Sequence, residues 1–228
     1  MQPGQSDTRQ ADPGFDQGFY RHVIQARAHA ELLDCRKIAT RSKDERILRA
    51  FVAAMFASRT HRRAVSSCIR EYIGKRAIPA LLWNLDQLPP RQQLFQARLL
   101  CMLGHWETLA VYYSSIRALE PLDANTNKSV ESFMTNYTPA LLPGLRSSLG
   151  SKDHGFTVFC APYLHKYDPL KVSTRLTDIV HESTAEPDAR NKALHVLIAF
   201  SPDDAVSCLL DCGEWFSLPV LSRQPKVS

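Results

Sequence analysis

Apolar residues recur along most of this chain at spacings of three and four, the period of one face of an α-helix. In ERILRAFVAAMFAS, residues 45–58, Ile47, Leu48, Phe51, Val52, Met55 and Phe56 share one stripe behind Ser42 and Asp44, two residues suited to capping, and this predicts a central helix. RRAVSSCIREYIG (62–74), stopping at Gly74, and AIPALLWNL (77–85), stopping at the Pro89-Pro90 break, predict two more. RQQLFQARLLCML and HWETLAVYYSSIRAL predict an antiparallel helix pair joined near Gly104 and ending before Pro121. Upstream, GFYRHVIQARAHAELLDC places Phe19, Val23, Ile24, Leu32 and Leu33 on a stripe, whereas residues 1–17 are rich in Gln, Asp, Gly and Pro and predict a mobile tail.

Beyond Pro121 the polar run DANTNKS reads as an insertion. TPALLPGLRSSLG and FTVFCAPYLHKY predict helical segments interrupted by proline, and a further helix is expected to begin near Ser173 with Leu176, Ile179 and Val180 inward. Asp188 is placed to cap ARNKALHVLIAF, and Ser-Pro-Asp-Asp opens SPDDAVSCLLDCGEWF. No stretch alternates apolar and polar residues with hairpin turn chemistry, so the expected fold class is all-α with roughly ten or more helices.

Composition adds limits. With 228 residues, 44% of them hydrophobic and 22% charged, the chain has the make-up of a globular protein able to bury a core. No segment carries about 18 consecutive apolar residues, and the first residues lack the apolar run of a signal peptide, so neither membrane insertion nor export by the usual route is expected. The six cysteines (Cys35, Cys68, Cys101, Cys160, Cys208, Cys212) lie in apolar stretches and read as small core residues in a reducing compartment. Cys208 and Cys212 are one helical turn apart, with no second pair to complete a tetrahedral site, so no metal or other cofactor is expected. Phosphate loops, nucleophile elbows and HExxH spacings are missing, and His154, His165 and His181 with Asp153 and Asp178 form no recognisable catalytic pattern. No enzymatic activity is expected.

Charge changes the picture more. Residues 1–120 hold 18 Lys and Arg against 11 Asp and Glu, a net of +7, while residues 121–228 hold 10 against 12, a net of −2. Residues 41–76 concentrate the excess, with ten basic side chains facing Asp44, Glu45 and Glu71. A solvated helix face is the plain explanation, and a polyanion partner the alternative. On a helical period Arg59, Arg62, Arg63 and Arg70 spread over one side while Val65, Ile69 and Ile73 occupy the other; Lys75 and Arg76 follow at the end. Arg91 and Arg98, two turns apart, project from one face of the next long helix. Backbone-tracking cations and aromatic faces for unpaired bases are what single-stranded nucleic acid requires.

The run Pro89-x-Arg91-x-x-Leu94-x-x-Ala97-Arg98-x-x-x-x-Leu103-x-x-Trp106-x-x-x-Ala110 resembles, without gaps, a segment of the nucleocapsid proteins of phlebovirus-type bunyaviruses (phenuiviruses). Gln17-Gly18-Phe19, Arg21-x-Val23-Ile24, Lys43-Asp44 with Arg62-Arg63 after the following helix, and Tyr167-Asp168-Pro169-Leu170-Lys171 with Thr174 are similar to further segments of that family. The resemblance implies two helical lobes flanking a basic cleft that sequesters single-stranded RNA, with a flexible N-terminal arm that docks on a neighbouring subunit. It implies an arm over 1–35, an N-terminal lobe over 36–120 and a C-terminal lobe over 121–228. Arg91 matches a cleft arginine, Lys171 replaces an arginine of the opposite lobe, and Arg59, Arg62, Arg63 and Arg70 fall where the family has its basic cluster. Phe19 and Tyr163 match positions of rings held against bases, and His165 joins the candidate RNA contacts, whereas Trp106 and Leu103 suit the core.

The function so implied is a viral nucleoprotein that coats genomic RNA without reading its sequence and oligomerises into ribonucleoprotein, in the virion nucleocapsid and host cytoplasm. Its partners would be RNA, further copies of itself and the viral polymerase. The chain departs from the family in a shorter segment before Gln17 and a longer one between Ile24 and Lys43, which implies altered assembly geometry. A second class, a helical-repeat protein-interaction scaffold of tetratricopeptide or HEAT type, suits ARLLCMLGHWETLAVYY, but no second copy recurs at the required period.

Overall fold

The computed structural model describes residues 15–26 and 29–212, without the side chains of His29, Ala30 and Cys212. Of the expected mobile tail over 1–17, residues 1–14 lie outside the described residues, whereas Phe15 stacks on Trp83, Asp16 accepts from Phe19 N and Gln17 begins a helix. Twelve α-helices and no strand occur among the described residues, so the chain is all-α. They are α1 (Gln17–Gln25), α2 (His29–Arg41), α3 (Glu45–Ala54), α4 (Arg59–Cys68), α5 (Ile78–Leu82), α6 (Pro90–Met102), α7 (Leu109–Arg117), α8 (Ala124–Ser148), α9 (His154–Leu164), α10 (Pro169–His181), α11 (Pro187–Phe200) and α12 (Pro202–Cys212). Two compact units divide the chain, Met1–Leu122 and Asp123–Ser228. Since Pro121 and Leu122 are uncharged, the first unit carries the whole +7 and the second the −2. No described helix is long and apolar enough to cross a membrane.

In the first unit α3 is central. Phe51, Met55 and Ala54 are buried, and α1, α2, α4 and α5 lie against this helix. Asp44 caps it by accepting from Arg46 N at 2.9 Å, as its sequence position predicts. The helix stops at Ala54 rather than running on to Ser58, because Ser58 is itself a cap: its Oγ accepts from His61 N and starts α4. Buried His61 then ties α4 to α1, its Nε2 lying 3.0 Å from Val23 O and its Nδ1 2.6 Å from Ser58 Oγ. With Nε2–H donating to the carbonyl and Nδ1 accepting from the hydroxyl, both ring nitrogens are satisfied. Of the segment the resemblance assigns to an arm, α1 packs on α3 of its own unit.

α4 leads into a π-helical turn, Ile69–Ile73, closed by Gly74 N–H donating to Ile69 O. Gly74 adopts φ 61 and ψ −141, backbone that a side chain strongly disfavours, and a 3-10 turn (Gly74–Ala77) follows into α5. AIPALLWNL is therefore a succession of short turns and one five-residue helix, not a single helix over 77–85. α6 and α7 form the most extensive helix pair in the unit, with Ser115 Oγ donating to Gln93 Oε1 at one end and Cys101 Sγ 3.5 Å from Thr108 Oγ1 at the other. Those two contacts make the pair antiparallel, turned by Gly104 at φ 86, as the pattern predicts. Leu103 is buried and Trp106 half-buried in a 3-10 turn before α7.

The second unit corrects the expected boundaries. DANTNKS is no insertion: Asp123 caps α8 by accepting from Thr126 N and Oγ1, at 2.9 and 2.8 Å, and the following residues are its solvent-exposed first turns. Only at Val130 does an inward stripe begin, which is why the run reads as polar. Pro139 and Pro143 do not interrupt α8. Both lie on its exposed side, as do Thr135 and Pro139, whose carbonyls lose their helical donors, so those acceptors stay in water. α9 likewise continues through Pro162. α10 begins at Pro169 instead of near Ser173, using proline's fixed φ at the first helical position. Asp188 sits inside the first turn of α11, with Glu186 at the cap position.

Two predictions follow from the elements that set α6 and the π turn. Gly74→Ala is expected to destabilise the protein by about 1–3 kcal/mol in urea denaturation, although a Cβ there would meet nothing within 4 Å, because the cost is backbone strain. Gln96, fully buried on α6, donates from Nε2 to Leu81 O at 2.5 Å and to Asn84 Oδ1 at 3.3 Å. Gln96→Leu removes that donor, and a loss of about 1–3 kcal/mol in the same measurement is expected.

Candidate nucleic-acid interface

The basic residues of the first unit divide by what already neutralises them. Arg46 is bound to Asp44 at 2.8 Å, and its hydrogen bonds hold the Asp44 carboxyl below the usual carboxylate range. Arg49 pairs with Glu45 at 3.1 Å and lies with its guanidinium carbon 5.4 Å from the Trp83 ring centre. Glu71, the third carboxylate of the basic stretch, accepts from Ser67 Oγ. All three acids of residues 41–76 are thus committed locally. Arg59, Arg62, Arg63, Arg70 and Arg91 are exposed, and among the described residues none of them forms an ion pair.

α4 orients its share of these groups as the helical period predicts. His61, Val65 and Cys68 face the core, and Arg59, Arg62 and Arg63 face solvent. The link to α6 is a ring: the Arg62 guanidinium carbon lies 5.5 Å from the centre of Phe95, which is braced edge-on by Phe56 at 6.4 Å. Phe95 is one turn beyond Arg91 and one turn before Arg98, so these three share a face of α6. Arg62, Arg91 and Arg98 therefore belong to one continuous surface across α4 and α6. Arg98 is half-buried and engaged within the chain, while Arg91 stands exposed in the first turn of α6, which contains no acid. The positive end of the helix dipole and the guanidinium favour an anion at the same place.

Lys75 and Arg76 lie elsewhere. The Lys75 ammonium rests beside Gly104, 3.9 Å from where a Cβ would stand, over the turn that ends α6 and its negative dipole end. Arg76 reaches α2 and donates to Thr40 O. Both remain exposed, yet each already has a structural use.

In the second unit Lys171 is exposed in the first turn of α10, two residues past Pro169. The neighbouring Asp168 carboxylate is held by Arg146 Nε at 2.7 Å, which leaves Lys171 without that partner. His165 stacks on Phe200, ring centres 4.8 Å apart and 29° from parallel. Tyr163 is half-buried next to Phe159 at 6.2 Å, and burial raises its phenol above the ordinary tyrosine value. In the first unit Phe19 is half-buried with its ring 6.4 Å from that of core residue Phe51. Neither ring is as open as Tyr72, which is 61% exposed and which a regular helical period hides.

No cluster of three or more metal-binding side chains occurs among the described residues. Cys101 is buried and hydrogen-bonded to Thr108, and burial pushes its thiol up to about 11, so it stays protonated and unreactive near neutrality. What the first unit offers chemically is a surface of unneutralised, forked donors with aromatic rings among them, an arrangement suited to phosphate oxygens. No family model, curated protein or solved structure matches this chain.

Proposed function

We propose that the protein is a nucleoprotein that binds single-stranded RNA without sequence preference and assembles along it as ribonucleoprotein. The observation that carries the proposal is the exposed set Arg59, Arg62, Arg63, Arg70 and Arg91, unpaired among the described residues of a unit with a net charge of +7. The resemblance of Pro89–Ala110 and the flanking segments to phenuivirus nucleocapsid proteins, which includes Arg62, Arg63 and Arg91, points the same way. Guanidiniums displace the counterions of the phosphate backbone, which supplies affinity without base readout. In this proposal the two units are the lobes of a basic cleft, Lys171 contacts the strand from the second unit, and the first residues of the chain form the arm that contacts the next subunit. Head-to-tail contacts of that kind close into rings or run on as filaments.

Protein purified from a heterologous host is expected to carry host RNA, with a raised ratio of absorbance at 260 to 280 nm, and to elute as oligomers. A nucleic-acid-free monomer would favour the interaction scaffold instead. Arg91→Glu combined with Lys171→Glu is expected to abolish binding of a labelled oligoribonucleotide in a low-salt anisotropy titration while leaving the helical circular dichroism unchanged. Unchanged affinity would contradict the assignment.

A further inference from the structure

Tyr72 is the most exposed aromatic ring among the described residues, and it sits where a regular helix would bury it. The core positions of α4 are Val65, Cys68 and Ile69, and a period of 3.6 residues brings residue 72 back to that face, seven after Val65. The π turn inserts one extra residue into the period, so Ile73 takes the core position at 5% exposure and Tyr72 turns outward to 61%. Local π turns of this kind recur at functional sites.

The surroundings of the ring are basic. The Arg36 guanidinium carbon lies over it, 5.4 Å from its centre. One turn further along both segments Arg76 donates to Thr40 O, so Arg36, Tyr72 and Arg76 line the same edge between α2 and the π turn. The acids beside them are occupied: Glu71 accepts from Ser67 Oγ, and Asp34 pairs with Lys37 Nζ at 3.0 Å. One ring face is covered by a cation, and the ring is otherwise open to solvent beside cationic side chains.

We infer that Tyr72 is a nucleobase-stacking platform, backed by Arg36 and flanked by Arg76, and that single-stranded RNA bound to the first unit passes over this edge. The inference rests on the RNA-binding function proposed above and adds to it the stacking contact and the course of the strand. Stacking needs only the π-face that every base has, so the contact gives affinity without sequence preference, as encapsidation requires. Arg36 both holds the ring flat and contributes its own charge.

The test is a titration of fluorescein-labelled oligouridine against wild-type protein, Tyr72→Leu and Tyr72→Phe at several salt concentrations, with inorganic polyphosphate as a base-free anion in parallel. Tyr72→Leu is expected to weaken oligouridine binding about tenfold with an unchanged salt slope, Tyr72→Phe to bind within about twofold of wild type, and polyphosphate to bind all three alike. Wild-type affinity for oligouridine in Tyr72→Leu overturns the stacking role and leaves the RNA-binding function standing. An equal loss for oligouridine and polyphosphate also overturns it, since the ring would then be acting through charge or fold. Absence of oligouridine binding by the wild-type protein at low salt overturns both. Circular dichroism and the urea midpoint of each variant guard against misfolding, to which a substitution at so exposed a position contributes little.

Discussion

Like charges crowded on one small helical unit repel one another, and a chain normally offsets this by interleaving acids. Residues 41–76 carry three carboxylates for ten cations, and local hydrogen bonding consumes all three: Asp44 on Arg46, Glu45 on Arg49, Glu71 on Ser67. The guanidiniums of α4 and the start of α6 are left to water and to whatever anion reaches them. Their spacing is fixed by buried groups. His61 ties α4 to α1, Gln96 ties α6 to α5 and to Asn84 just after it, and the Arg62–Phe95 contact joins the two basic helices into one surface. The backbone that carries the charge is therefore set by buried contacts, while the exposed side chains would still give up rotamer freedom to a bound anion.

Much of this is legible in the sequence where the helical period is undisturbed. The inward stripes of α3, α4 and α6, the Asp44 cap, the turn at Gly104 and the outward arginines of α4 all follow from positions three and four apart. Where sequence and structure part, the reason is local. Asp123 makes a helix start out of DANTNKS by accepting two hydrogen bonds, a role that hydropathy does not register. Pro139 and Pro143 are tolerated because they lie on the wet side of a 25-residue helix. Lys75 and Arg76, in the same charged run as Arg70, instead lie beside Gly104 at the end of α6 and against α2, where Arg76 donates to the Thr40 carbonyl, distant in sequence.

The inward place of Ile73 is legible beside Val65 and Ile69, but the exposure of Tyr72 is not. No residue type announces a π turn, and with strict helical periodicity Tyr72 falls in the core beside Val65. Packing decides otherwise, since Ile73 fills the buried place with a purely apolar side chain and leaves the phenol, which would need a partner if buried, in solvent beside Arg36. The resemblance to phenuivirus nucleocapsid proteins points to Phe19 and Tyr163 as stacking rings, and both are half-buried against other rings. Charge placement is thus readable from the sequence, and ring exposure only from the packing.

The central claim is that the unneutralised arginines of the first unit bind the phosphates of single-stranded RNA. Its most direct measurement is the salt dependence of wild-type affinity for an unstructured oligoribonucleotide. Five phosphate contacts at about 0.7 each predict a slope of roughly −3.5 in log K against log salt concentration. A slope near zero, or no binding at low salt, would contradict the account.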